Sequence, residues 1–527
     1  DTPRRLTVCS YAEVVLADQR TDRRHPAFNK RFIESEHVAD ADALVFRRRP
    51  RAATETPPFL AHGLVLAPPL TRAGTFETAR PAFLGRDGSM HAPAALVGEV
   101  TDLRATTGTD ADLRATTGAT LDPIMAMSQE IELDAHATVE LAFITTAGTS
   151  RHDVLYQLHQ YQDWHAIRRV VAQTHTAAEL EMRRLNITSD GLATMQQLLS
   201  ALLYPSDRLR APADVIAANE LGQPALWPYA ISGDYPILLV CVEDEDGLAL
   251  VQEALRAHRY WRNRNMPISL VILNEKASSY VQALHDQVGQ LLQRNDHRNW
   301  LNRRAGIFLL RNDQLTGAAK TLLQTAARVV LEQEDGTLAA QVHALHRQPA
   351  ALPLFQPGGR AEEPAPLAPL PRPAELQFDN GLGGFSADGR EYLIYLEPGQ
   401  TTPAPWSNVI ANPTFGFLMT ERGSSFTWAV NSGENRLTPW SNDPVVDPTG
   451  EALYLRDEET GTIWSPTPTP ADDGAPYLVR HGAGYSIFTH HSQGLKQEVR
   501  AFVPKDDAVK IVTLRLENGT GNARRIT

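Results

Sequence analysis

The sequence predicts a multidomain α+β protein, with two β-sandwich domains separated by a helical segment and a small α/β parallel-sheet insertion. Three observations carry that prediction. Residues 1–150 and 375–527 break into short apolar or alternating runs divided by Gly, Pro and acidic turns, the pattern of strands and hairpins. From Arg151 the apolar period becomes helical. Between Pro236 and Glu332, continuous apolar runs alternate with helix-length segments, as strands buried on both faces of a parallel sheet do.

In chain order, LTVCSYAEVVL, ALVFRRR, HGLVLA and ATVELAFITTA read as strands of the first sandwich (1–150). HPAFNKRFIESE (His25 to Glu36) reads as an ordered loop between two of them. His25 with Glu34 and Glu36 lacks a third ligand at metal-binding spacing. DLRATTG occurs at Asp102–Gly108 and again at Asp112–Gly118. A single repeat is no solenoid, so the first copy reads as a tolerated loop insertion.

The helical segment (151–225) contains Met195, Leu198, Leu199, Leu202 and Leu203 on one face. Thr188-Ser189-Asp190 offers a cap and Pro205 a stop. In the α/β domain (226–345), PILLVCV, ISLVILNE and GIFLLR are strands followed by helices from about Gly247 to Arg264, Tyr280 to Gln293 and Thr316 to Glu332. Glu243-Asp244-Glu245-Asp246 precedes the first helix and Arg residues crowd its far end, which dipole complementation explains without a metal. Neither GxGxxG nor GxxxxGK[ST] follows the first strand, so a nucleotide site is not expected. Residues 346–374 form a Pro-rich linker, with eight Pro between Pro349 and Pro373.

Composition narrows the class. With 50 Lys and Arg against 62 Asp and Glu, the net charge of -12 opposes a nucleic-acid surface. No stretch has the roughly 20 apolar residues of a membrane span, and no signal peptide is seen. Cys9 and Cys241 lie far apart and read as buried free thiols, consistent with a reducing, cytoplasmic setting. The chain opens on DTPRRL and stops at NARRIT, just after the strand-like VKIVTLRLEN; a piece of a longer polypeptide is the expectation.

Four of the eight Trp fall in Trp406–Trp464, among amide, guanidinium and hydroxyl side chains. Flat indoles beside such groups suit a sugar-binding surface, although Trp also fills sandwich cores. WSNVIANPTFGFLMTERGSSFTW, NSGENRLTPWSNDPVVDPTGEALYLRDEETGTIWSPT and YLVRHGAGYSIFTHHSQGLKQEVRAFVPKDDAVKIVTLRLEN together resemble the super-sandwich domain of the inverting glycoside phosphorylases of glycoside hydrolase family 94. HPAFNKRFIESE, TTGATLDPI, WPYAISGDYPILLV and LVILNE resemble the phosphorylase-like C-terminal half of the cyclic β-1,2-glucan synthases, and the related β-1,2-oligoglucan phosphorylases. The resemblance spans nearly the whole chain.

The resemblance implies a non-catalytic part of an enzyme that cleaves β-glucan with inorganic phosphate as co-substrate and needs no other cofactor. Its catalytic (α/α)6 barrel would lie beyond Thr527, absent from this sequence. That barrel, a β-glucan oligosaccharide and a second copy in a homodimer are the implied partners, with no nucleic acid and no membrane contact by this segment. The parent could be anchored in the bacterial inner membrane through other domains. No catalytic residue carries over. Candidate carboxylates Glu421, Glu434, Asp443, Asp447 and Asp457 read as turn formers or solvated groups, and His481, His490 and His491 lack a matching nucleophile. The best functional candidates are Trp428, Asn431, Glu434, Asn435, Arg436 and Trp440, as carbohydrate-binding or interdomain residues. Glu434 with Arg436 as a buried interdomain ion pair is the competing reading. A purely structural scaffold and a free-standing carbohydrate-binding module are the alternative functions.

Overall fold

The computed structural model describes residues 2–68, 70–97, 113–275, 283–293, 295–346, 352–357 and 367–527. The first DLRATTG copy and part of the Pro-rich linker lie outside the described residues. Two compact units form: residues 1–169 with 354–527, and residues 170–353.

In the first unit, an antiparallel sheet runs Ile33–Val38, Ala43–Arg48, Phe59–Leu66 and Leu141–Gly148 in spatial order. A second sheet is built on Pro123–Leu133, which pairs with Arg4–Cys9, Ala12–Glu13 and Phe76–Ala79. Ile33, Leu44, Phe46, Leu64, Phe76 and Met127 fill the core between them. Helix Arg151–Gln160, capped by Ser150, lays Val154 and Leu158 on the four-stranded sheet's other face.

His25–Glu36 departs from the expected loop. Pro26 opens a short helix, Pro26–Lys30, and the strand begins at Ile33. Pro is pre-organised for a helix's first position. Asn29, buried, donates to the Thr21 carbonyl at 2.8 Å. Ile33 and Ser35 turn inward while Glu34 and Glu36 reach outward to arginines. A small hydroxyl at one inward position blurred the alternation. The second repeat copy is built in: Leu113 is buried and Gly118 bridges to Ser35.

Residues 375–527 supply a six-stranded antiparallel sheet: Gly383–Phe385, Glu391–Leu396, Tyr477–Gly482, Tyr485–Ser492, Leu495–Phe502 and Ile511–Asn518. It packs on the three strands Ser407–Ala411, Phe415–Thr420 and Ser425–Ala429 through Ile394, Phe417, Met419, Val479, Phe488 and Val499. Trp464 is fully buried and donates its indole N–H to Gln497 at 3.0 Å. It is a core residue.

The second unit holds a parallel sheet ordered Ile307–Arg311, Ser269–Asn274, Ile237–Val242 and Val329–Glu332. Helix Ser189–Leu203, capped by Thr188, shares a core with it through Met195, Leu198 and Leu202 against Leu238, Val240 and Leu270. The expected helix Thr316–Glu332 is two elements. Helix Gly317–Ala326 ends, and Val329–Glu332 becomes the strand beside Ile237–Val242. Short apolar runs do not reveal their period; here the β-branched VVL sequence is taken into the sheet. Asp244 caps the turn Glu245–Gly247 ahead of helix Leu248–Arg262.

Candidate functional site

Two contact regions join residues 1–169 to residues 354–527, one open and one buried. The open one is built on TWAVNSGENRLTPW. Strand Ser425–Ala429 ends in a turn whose Val430 has φ 64°. The Asn431 side chain accepts from the N–H groups of Gly433 (2.8 Å) and Glu434 (2.9 Å), a local substitute for strand pairing. Trp428 then bridges to Arg436, and the Leu437 N–H donates to Thr427. The returning chain lays Trp440 on Phe426, ring centroids 4.7 Å apart and nearly parallel. Trp428 tilts against the same Phe426 at 5.2 Å.

Arg436 holds its guanidinium 5.4 Å from the Trp440 ring centre and donates to the Arg24 carbonyl at 3.3 Å. Glu434 pairs with the Arg24 side chain. His25 approaches Trp440 edge-on at 6.4 Å, and Phe28 lies beside His25. Glu434 thus pairs with Arg24 rather than Arg436, and both partners are more than half exposed. The competing buried pair is not formed. Of the six candidates, Trp428, Glu434, Arg436 and Trp440 converge, Asn431 shapes the turn, and Asn435 contributes backbone bonds to Ala429 and Asn431. Arg24, His25 and Phe28 were not expected here; their only signal was the aromatic and basic content of RRHPAF, which periodicity does not rank.

Glu434 is exposed as expected, but the buried region corrects the solvated reading of Glu421, Asp443, Asp447 and Asp457. Arg80 makes a two-pronged bond to Asp443, both at 2.8 Å, and reaches Asp122 at 3.0 Å. Lys30 reaches Asp122 at 2.6 Å. Burial works against both charges, yet the paired bonds raise Arg80 above its ordinary pKa and hold Asp443 below the usual carboxylate range. Beside them Arg86 donates to the carbonyls of Thr402 (3.1 Å) and Val445 (2.9 Å) and meets Glu421 at 3.3 Å. Glu421 is wholly buried; desolvation pushes it up despite bonds from Thr402 and the Trp406 N–H. Burial likewise raises Asp447, which accepts from Thr420 at 2.8 Å. Asp457 is buried against Arg524. Asp443 and Asp457 do accept from backbone N–H groups two residues on, as turn formers, but inside the protein.

The histidines are structural in their contacts. His490, fully buried, stacks on Tyr477 at 3.8 Å, with one ring nitrogen 3.0 Å from Asp473 and the other 3.0 Å from the Pro476 carbonyl. Burial depresses His481 to about 4. Glu34 and Glu36, weighed with His25, are taken up by Arg47, Arg49 and Arg151. Among the described residues, the His, Cys, Asp and Glu side chains close enough to share a metal ion are Cys241, Glu275 and Glu332. Lys320, 2.5 Å from Glu275, is already the cation there.

The split sandwich and its joint define the class. Residues 1–164 and 390–527 match the model of the glycosyl hydrolase 94 supersandwich domain, and the chain belongs to that family. It is 33% identical over 537 aligned residues, 99% of its length, to the cyclic beta-(1,2)-glucan synthase NdvB of Rhizobium meliloti (strain 1021). It is 32% identical over 148 residues, 28% of its length, to the N,N'-diacetylchitobiose phosphorylase of Vibrio furnissii. Solabiose phosphorylase of Paenibacillus borealis is 28% identical over 158 residues, again 28% of this chain. The aligned region is 18% of the length of NdvB, 18% of the chitobiose phosphorylase and 19% of the solabiose phosphorylase. No helix among the described residues is long and apolar enough to cross a membrane.

Proposed function

We propose that this chain is the non-catalytic, carbohydrate-holding portion of a glycoside phosphorylase that processes β-1,2-glucan with inorganic phosphate. A catalytic barrel of the same polypeptide and a homodimer partner are part of that reading, in a cytoplasmic setting. The carrying observation is the Trp440 ring, backed by Phe426 and surrounded by Arg436, Arg24, Glu434 and His25. A supported indole offers a flat face to sugar C–H groups, and the neighbouring charged groups offer donors and acceptors to hydroxyls. The family relation and the name of the full-length relative support the substrate class.

A scaffold reading is favoured by one fact: the same residues tie residues 19–30 to the 430–440 turn. Both roles are compatible with one surface. Phosphorolysis of β-1,2-glucooligosaccharides tests the assignment, using this chain and its gene product extended by roughly 500 residues, about three domains' worth. Activity confined to the extended protein is expected. Activity in the 527-residue chain would contradict the non-catalytic role and redirect attention to its buried carboxylates.

A further inference from the structure

The core-facing side of the six-stranded sheet is accounted for by the sandwich; on its opposite side Tyr395 is buried and donates to the Leu370 carbonyl at 2.9 Å, while the other end carries a groove. Register places Glu391, Gly482, Tyr485 and Phe502 in one cross-strand row, and Arg480, Ile487 and Arg500 in the next. Their neighbours Val479, Phe488, Val499 and Ala501 point into the core, so alternation sends these two rows outward. All residues of the two rows but Gly482, together with Gly484, line a groove of about 470 Å³, within the roughly 300–1,000 Å³ of small-ligand sites.

The groove is pre-organised. A Cβ at Gly482 would lie 2.4 Å from the Tyr485 ring, so that ring lies flat across the glycine. Its hydroxyl donates to Glu391 at 2.8 Å, fixing the far end. One ring face is thereby seated on backbone, and the ring lines the groove beside Phe502, over a floor of buried Ile487. Arg480 stands 3.3 Å from Glu498 and 3.8 Å from Glu391, and Arg500 stands 3.6 Å from Glu498. Each cation already faces a carboxylate within 4 Å, so an incoming anion would meet that negative charge. An uncharged ligand rich in hydroxyls meets no such cost: guanidinium N–H groups donate to it, carboxylates accept from it, and the rings cover its C–H faces.

We propose that this groove is a second carbohydrate site, separate from the Trp440 surface, that takes a short segment of uncharged sugar chain. The identity of that chain as β-glucan rests on the function proposed above. Occupancy at both places would let one molecule hold a long glucan at two points and gain effective concentration from the linkage.

The test is calorimetric titration of a β-1,2-glucooligosaccharide into four proteins: wild type, Trp440→Ala, Tyr485→Leu with Arg500→Ala, and all three changes together. Unfolding curves would check that each is folded, and hydrogen exchange would follow residues 480–487 and 500–502 with and without sugar. Expected are a tenfold or greater rise in Kd at one site in the Tyr485/Arg500 variant, a separate loss in Trp440→Ala, and sugar-dependent protection of 480–487 that survives Trp440→Ala. Unchanged affinity in the Tyr485/Arg500 variant, or no protection at 480–487, would overturn the second site while leaving the Trp440 reading standing. Protection at 480–487 with no effect of Trp440→Ala would do the reverse. If the double variant unfolds, Arg500→Ala alone, at a half-exposed position, carries the same comparison.

Discussion

The two regions joining residues 1–169 to 354–527 use the same residue types at opposite exposures. Around Arg80 and Arg86, arginine and carboxylate side chains are largely withdrawn from solvent and the terminal guanidinium nitrogens meet fixed acceptors. Around Trp440, Arg24 and Glu434 remain more than half exposed, and the ring, in contact with Phe426 and Arg436, is only half-buried. A desolvated pair is costly to break because the abandoned charge has nowhere to go, whereas an exposed pair contributes little and stays available. The first region suits holding the halves of a sandwich interrupted by residues 170–353; the second suits contact with something else.

Breaking the buried region should have the largest effect. Arg80→Ala strands Asp443, leaves Asp122 with Lys30 as its remaining cation, and is expected to cost about 3–5 kcal/mol, read as a lower urea midpoint with unchanged slope. The same region should set part of the acid limb. Asp443 has a folded pKa below its unfolded value of about 3.9, so its contribution is present above that value and fades as pH falls through the folded one. Asp443→Asn should therefore flatten stability against pH below about 4. Glu421 and Asp447 act with the opposite sign: their raised folded values give stability that is complete in acid and lost as pH rises through them. A steeper acid limb in Asp443→Asn would show that Arg80 is not its dominant partner.

At the open region the order of effects reverses. Trp440→Ala should weaken glucan binding at that site by at least tenfold, about 1.4 kcal/mol, while thermal unfolding moves only by the lost ring contact with Phe426. Glu434→Ala is the mildest change. It should lower stability by no more than about 1 kcal/mol, with the difference shrinking as salt is raised. A multi-kcal/mol loss from Glu434→Ala would instead make this surface a second structural joint.

Legibility in the sequence followed the same division. The strands Ile237–Val242 and Ser269–Asn274 were plain because burial on both faces leaves an unbroken apolar run. Val329–Glu332 was not, because four residues following a helix carry no period of their own. The Trp428–Trp440 turn stood out by composition. Its other half, Arg24 to Phe28, comes from more than 400 positions away in the chain, and only tertiary contact reveals it. Asp443 and Asp457 in DPV and DEET look like surface turns, and they do form turns. Their burial depends on arginines at positions 80 and 524, partners that local spacing cannot supply.

The most direct test is the affinity of a β-1,2-glucooligosaccharide for Trp440→Ala against wild type, followed by titration at matched unfolding midpoints. At least a tenfold loss at one site, with the fold intact, is the predicted result. Equal affinity in the two proteins would contradict the Trp440 surface as a glucan-holding site and leave it as part of the contact between the two halves.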